Sequence, residues 1–325
     1  MNDRASKDHP AKMDISVIIV NWNTKELIQN CLDSVYRTMG NIAFEIIVVD
    51  NASSDGSIFM LEEKYPQVIK IANQENKGFG AANNQGFAVM KGKYALLLNT
   101  DAILTPNAVH KLWTFCEQHQ EAAIVCGQLL NVDGSKQNSV AAFPTLLTLA
   151  TNTSLLEFLF PKSFPSKRYE HKEPIDVDSA IGACMMIRKK ALDEVSFFDE
   201  RYFFFFEETD LAYAFHCKGW SVYHMPDAYI YHLQGQSIGH NVGSRIEYYR
   251  SRYQFLRKWH SFPYYYLTSG IIFLRLVVNW IFSFMTVGVT FGLVEKLRQK
   301  LIVYSQLIFW HIKKIQSPAM QKPVC

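Results

Sequence analysis

Four short apolar runs, separated by stretches of helical periodicity, constrain this chain more than anything else in it. Ile15 to Val20 is continuously apolar and β-branched. That is the signature of a strand buried on both faces of a parallel sheet. Phe44 to Val49 repeats the pattern and ends at Asp50. Val68 to Ala72 makes a third run, and Tyr94 to Leu98 a fourth, ending at Asn99-Thr100-Asp101. Between the first two, Leu27, Ile28, Cys31, Leu32 and Val35 recur at helical spacing, and Asn23 with Glu26 predicts a capping box. Asn51 to Ser57 is turn chemistry leading into a short helix that stops before Pro66. Gly78 to Met90 predicts a glycine-interrupted helix, and Pro106 is expected to open another at a position where proline is tolerated. Strand and helix therefore alternate from residue 14 to about 126. The expected fold is α/β, a Rossmann-like, doubly wound, mainly parallel sheet. Such sheets bind ligands at the carboxyl ends of their strands, where Asp50 and Asp101 fall.

The second half is less regular. Asp133-Gly134 predicts a hairpin turn. Residues from about 145 to 174, rich in Leu, Phe, Pro and Lys, fit no element clearly. Val177 to Ile187 reads as a strand. Glu207 to Lys218 fits a helix closed by Gly219. Trp220 to Met225 and Ala228 to His232 fit two short strands around Pro226, and Ser244 to His260 carries an apolar stripe opposite several arginines.

Composition removes several classes of function. A hydrophobic fraction of 49 % suits a chain with a sizeable core. A net charge of +3, with no basic run interleaved with aromatics in the first half, argues against a nucleic-acid partner. The six cysteines form no C-x-x-C pair, so reduced and mostly buried thiols are expected rather than a disulfide or metal framework. Residues 1–13 are polar with no apolar core, so no secretory signal is expected and the segment is expected to be disordered.

The polar residues at the predicted strand ends suggest a division of labour. Val20-Asn21-Trp22-Asn23 and Asp50 are candidates to hold a nucleotide, although Asp50 also reads as a plain turn former before Asn51. Asn76-Lys77-Gly78 adds a glycine turn with a cation near a helix start, suited to anions. Asp101 is a candidate ligand for Mg²⁺ or Mn²⁺ with substrate phosphates as co-ligands. His232, at another strand end, is either a nitrogen co-ligand or an ordinary structural histidine. Glu207, Glu208 and Asp210 follow the aromatic wall Tyr202 to Phe206. They either complement a helix dipole or include a carboxylate of raised proton affinity working as general base.

Taken together these segments resemble the family-two inverting glycosyltransferases of the glycosyltransferase A fold, in their rhamnosyltransferase-like branch. The resemblance rests on Ser16 to Asn23, Val48 to Ser57, Glu75 to Asn84 and Leu96 to Asp101. It continues in Gly182 to Arg188, Phe197 to Glu200, Phe206 to Leu211 and Tyr231-His232. It implies a catalytic domain over 14–260, with a nucleotide-binding half (14–126) and an acceptor-binding half (127–260), before a hydrophobic and basic helical region (261–325). It further implies that Val20, Asn21, Trp22, Asn23, Asp50, Asn76, Lys77, Gly78, Asn83, Asn99 and Asp101 hold a dTDP- or UDP-linked sugar. Asp101 and His232 would lie at the divalent metal, Gly182 and Ala183 at the acceptor. Two positions depart from the family's pattern. Asn99 replaces the first carboxylate of the D-x-D element, and Glu208 stands where Asp is usual, with Glu207 an alternative base. The implied chemistry is a single in-line displacement, with the metal offsetting leaving-group charge.

Leu267 to Val294 is apolar apart from Arg275, Asn279 and small polar residues, long enough to span a bilayer. A central Arg costs at least about 2.5 kcal/mol there, and basic residues flank both ends (Arg257, Lys258; Lys296, Arg298, Lys300). An interfacial or re-entrant segment over 264–312, on the anionic cytoplasmic face of a membrane, fits this pattern better than a span. A lipid-linked glycan acceptor would account for such a tail. Two other functions are compatible with the sheet. One is a non-catalytic nucleotide-sugar-binding scaffold. The other is a sugar nucleotidyltransferase, against which the first loop's lack of a Gly-rich, basic sequence argues.

Overall fold

The computed structural model describes residues 13–233 and 242–315. The expectation of N-terminal disorder therefore falls, but for Met13, outside the described residues. In chain order the first elements are β1 (Ile15–Asn21), α1 (Lys25–Thr38), β2 (Phe44–Asp50), α2 (Ser57–Lys64), β3 (Ile69–Ala72) and α3 (Phe79–Val89). They are followed by β4 (Tyr94–Leu98), β5 (Ala102–Leu104), α4 (Ala108–Gln118), β6 (Ala122–Leu130) and β7 (Val140–Ala141). Then come α5 (Leu146–Ala150), α6 (Thr153–Leu159), β8 (Ile175–Asp176), β9 (Ser179–Ala180), β10 (Cys184–Arg188) and α7 (Lys189–Val195). The chain continues with α8 (Glu207–Cys217), β11 (Ser221–His232), α9 (Val242–Trp259), α10 (Phe262–Val289) and α11 (Glu295–Ile315).

Two compact units emerge. The first contains the described residues of Met1–Ala141, Ser166–Arg201 and Glu207–Ser237. Its sheet runs in the order β3-β2-β1-β4-β10-β6-β11-β5, with β8 beside β11. β3, β2, β1 and β4 are mutually parallel, as are β6 and β11. β10 is antiparallel to both β4 and β6, and β5 and β8 are antiparallel to β11. The mainly parallel α/β sheet expected from the sequence is thus present, with antiparallel insertions. Its core is the β-branched and aliphatic set that the strand runs supply, including fully buried Val17, Ile19, Val48 and Leu96. Four of the described cysteines (Cys31, Cys116, Cys126 and Cys184) are buried within this unit.

Local departures from the sequence reading have local causes. Asn23 does not cap α1. It sits in the left-handed region at φ 53°, and its Oδ1 accepts from Ser54 N at 2.7 Å, so its side chain ties two loops instead. α4 begins at Ala108, preceded by Asn107 at φ 65°, which leaves Pro106 in the turn before the helix. The predicted strand 177–187 is interrupted, because Ile181 N donates to Ser139 O and Ala183 O accepts from Asn99 N. β9 pairs with β7, while β10 enters the main sheet. The two strands expected around Pro226 are one strand, β11. Its register against β6 shifts between Met225 and Tyr229, a bulge that accommodates a residue with no N–H.

The second unit contains Ala142–Pro165, Tyr202–Phe206 and the described part of Ile238–Cys325. Leu149, Tyr253, Leu256, Ile272, Leu276 and Leu307 form its core. α10 and α11 run antiparallel, since Trp280 Nε1 donates to Ser305 Oγ at 2.8 Å while Phe273 lies near His311. Arg275 does not face lipid as a bare charge: its guanidinium donates to the carbonyl of Leu149. α10 is nonetheless long and apolar enough to cross a membrane, with mean hydropathy 1.8 over its most apolar stretch. Phe282, Phe284 and Met285 on it, and Phe291 and Leu293 after it, are exposed.

Candidate active site

The parallel pairing of β1 with β2 sets Asn21 beside Asp50, and both are buried. Asn21 Nδ2 donates to Asp50 Oδ1 at 2.7 Å and to Ser53 Oγ at 3.0 Å. Ser53 N donates to Asp50 Oδ2 at 2.9 Å. Thr24 Oγ1 lies 2.8 Å from Asn21 Oδ1 and 3.0 Å from Thr100 Oγ1. One network therefore joins the loops after β1, β2 and β4. Fully buried Asn21 shapes those loops, whereas Trp22, 50 % exposed, and Asn23 offer the accessible surface at the edge. Val20 is half-buried within β1. Asn76 Oδ1 accepts from Gly78 N, and Gly78, at φ 86°, adopts a conformation that favours glycine before α3. Lys77 is exposed beside it, and Asn83 is buried, donating to Phe79 O.

Asp101 and His232 meet because β5 pairs with β11, setting His232 opposite Ala102. Leu233 N also donates to Asp101 O at 2.9 Å. His232 Nε2 lies 3.4 Å from Asp101 Oδ1. Both carboxylate oxygens of Asp101 are buried and lack a hydrogen-bond partner. An ionised carboxylate left so in a protein interior is costly unless a cation or substrate group joins it. The donor set, one carboxylate and one imidazole, suits a divalent cation whose remaining positions are filled by phosphate oxygens and water. Among the described residues no cluster of three His, Cys, Asp or Glu side chains stands ready to enclose a metal unaided. Asn99 precedes this pair, its backbone N donating to Ala183 O at 3.0 Å.

The third group is carboxylic. Glu207 and Glu208 open α8, immediately after two consecutive non-glycine residues in the left-handed region, Phe205 at φ 68° and Phe206 at φ 70°. Such backbone costs about 1–3 kcal/mol per residue and is found where a site over-determines it. Glu207 is buried, and a Cβ on Gly80 would meet its Cβ at 3.7 Å. A Cβ on Gly182 would lie 4.0 Å from Glu208 Cδ and 3.8 Å from Phe79 Cε1. Gly182 and Glu208 are thus neighbours, with Phe79 between the glycine turns. Burial drives the proton affinity of Glu207 well above the usual carboxylate range, and the adjacent Glu208 adds to it. Burial likewise pushes Glu208 up to about 7, opposed in part by backbone N–H groups. Asp210 is buried one residue further along the helix than Thr209.

Two residues that sequence reasoning did not single out support these groups. Asn84 exchanges two bonds with the backbone of Phe198, each 2.9 Å, and so fixes the 197–200 segment to α3. Gln137 bonds both ends of His232, its Oε1 3.0 Å from Nδ1 and its Nε2 2.6 Å from the carbonyl oxygen. The Asp133-Gly134 turn was the available signal for Gln137, since it returns the chain to the end of β6.

Residues 16–196, more than half the chain, match the family described as "Glycosyl transferase family 2". The protein belongs to glycosyltransferase family 2. It is 27 % identical over 232 residues to the N-acetylglucosaminyl-diphospho-decaprenol L-rhamnosyltransferase of Mycobacterium tuberculosis, covering 66 % of this chain and 75 % of that one. It is 29 % identical over 205 residues to the low-salt glycan biosynthesis hexosyltransferase Agl10 of Haloferax volcanii, covering 62 % and 61 %. The mannosyltransferase PcManGT of Pyrobaculum calidifontis, solved in complex with GDP-Man and Mn²⁺, shares the fold at TM-score 0.55 and 15 % identity, over 93 % of this chain and 88 % of that one.

Proposed function

We propose that this family-two enzyme is an inverting hexosyltransferase. It moves a sugar, rhamnose by analogy with one of its relatives, from a dTDP- or UDP-linked donor to a hydroxyl of a glycan or lipid-linked glycan at the cytoplasmic face of a membrane. Residues 14–260 carry the catalysis and 261–325 the attachment. The observation that carries the reading is an unpartnered buried carboxylate, Asp101, beside His232, and what supports it is a pair of glutamates of raised proton affinity, one of them next to Gly182.

In this reading Asp50 and the Val20–Asn23 loop hold the nucleoside, with Asn76, Lys77, Gly78, Asn83 and Asn99 lining the path of the diphosphate and sugar. Asp101 and His232 would hold Mn²⁺ or Mg²⁺, which would supply charge compensation for the departing diphosphate. Glu208 accepts the proton of the acceptor hydroxyl as its oxygen attacks the anomeric carbon from the face opposite the diphosphate. A carboxylate titrating near neutrality is well matched to that task. Glu207, whose proton affinity burial and the neighbouring Glu208 raise well above the usual carboxylate range, is the alternative base beside it, and Asp210 helps organise the start of α8. Gly182 and Ala183 leave room for the acceptor against Phe79. Two similar proteins support this: one is an N-acetylglucosaminyl-diphospho-decaprenol L-rhamnosyltransferase, and the structural neighbour was solved with GDP-Man and Mn²⁺.

The decisive experiment is sugar release from a panel of nucleotide sugars with Mn²⁺. The expected result is turnover that Asp101→Ala removes. Unchanged turnover in that variant, or none with any donor, would overturn the assignment.

A further inference from the structure

Gln137 is 5 % exposed, and both polar atoms of its side-chain amide are engaged. It follows a tight turn in which Gly134 N donates to Asn131 O, Asn131 N to Ser135 O, and Gln137 N to Leu129 O. Its amide nitrogen donates to His232 O at 2.6 Å and to Asn131 Oδ1 at 2.8 Å, with a longer approach of 3.4 Å to Leu130 O. All three of these partners are acceptors, so the amide cannot be turned over without setting oxygen against oxygen. Its Oε1 is therefore the atom that faces His232 Nδ1, at 3.0 Å. A carbonyl oxygen only accepts, so Nδ1 must carry hydrogen. In a neutral imidazole the lone pair then lies on Nε2, the nitrogen 3.4 Å from the unpartnered Asp101 Oδ1.

We infer that Gln137 is the positioning residue that makes His232 an obligate Nε2 ligand. Resting on the metal-site reading above, the inference adds what selects the ligating nitrogen. Without Gln137 the ring is free to place its hydrogen on Nε2 and bond Asp101 directly, closing the site to a cation. With it, two acceptors face each other across 3.4 Å, an arrangement relieved by a cation between them. The Asp133-Gly134 turn acquires a purpose in the same step, because it delivers Gln137 to the carboxyl end of β6.

Two measurements test this, neither of them turnover. In ¹⁵N-histidine-labelled full-length protein at pH 8 with Mg²⁺ and UDP, His232 should show the Nδ1–H tautomer, its signal assigned by its loss in His232→Ala. Finding the Nε2–H form in the wild type overturns the inference without requiring any variant to fold. Free Mn²⁺ counted by electron paramagnetic resonance in the presence of UDP should then show affinity lowered about 10–100-fold in Gln137→Met. Asp101→Ala and His232→Ala distinguish the two levels of the reading. If neither weakens Mn²⁺ binding, the metal site itself fails and this inference with it. If both do while Gln137→Met binds as the wild type, the metal site stands and the role of Gln137 is refuted.

Discussion

Glu207 and Glu208 place two neighbouring carboxyl groups at the first turn of a helix, and their titration leaves marks on both rate and stability. Each has its proton affinity raised above the ordinary 4.5, chiefly by burial. A carboxyl whose folded-state affinity is raised contributes stability that is present below its unfolded value. That stability is lost as pH rises through the folded one. The melting temperature should accordingly fall from pH 5 to pH 8. Glu207→Gln should flatten that slope and melt at least about 2 °C higher than the wild type at pH 8 in a calorimetric scan. An unchanged slope would show that Glu207 is ionised in the fold. Glu208→Gln should lower kcat by about 10²–10⁴-fold with donor affinity retained, and the wild-type kcat/KM should rise through an apparent pKa near 7 that belongs to the pair.

At the scale of elements, the bulge in β11 demands a particular neighbour. Gly127 on β6 faces it, and a Cβ there would collide with the carbonyl oxygen of Ala228 and with Ile230 Cδ1. Backbone cannot yield as a side-chain tip does, so Gly127→Ala should cost about 1–3 kcal/mol in urea denaturation. A neutral effect would mean the bulge relaxes. Continuous apolar runs made the parallel strands β1, β2 and β4 readable from sequence, because burial on both faces leaves no ambiguity of period. β5 and β7 escaped, being three and two residues long and held by partners far away in the chain. The same limit governs the site. Asp50, Asp101 and His232 stand at ends of strands that composition reveals, whereas Gln137 and Asn84 act through side-chain bonds that tertiary structure alone brings together.

For the molecule as a whole, the membrane attachment proposed above separates into two geometries with different consequences. α11 packs along the middle of α10, and it carries Lys296, Arg298, Lys300 and Gln306, all exposed. Were α10 to cross the bilayer, this polar partner would be carried in with it. An in-plane hairpin, with Phe284 and Phe291 in the acyl boundary and the basic residues at headgroups, avoids that cost. Flotation with vesicles containing phosphatidylglycerol should show binding that weakens with salt. Replacing Phe284 and Phe291 by Ser should weaken it at least about tenfold, since each buried ring contributes roughly 1.5–3 kcal/mol. Salt-independent binding, or cysteines on α10 labelled from both sides of the bilayer, would point to a span.

β10 lies between β4 and β6, yet it comes after both in the chain. During synthesis the nascent sheet has a gap at its centre until Arg188 has emerged, with β4 exposing an unpaired edge. Arg188 then locks the late strand in place, since its guanidinium donates to the carbonyls of Cys116 at 2.6 Å and His119 at 2.8 Å near the end of α4. A chain halted before this residue is expected to expose that edge, so a fragment ending at residue 126 should precipitate rather than fold.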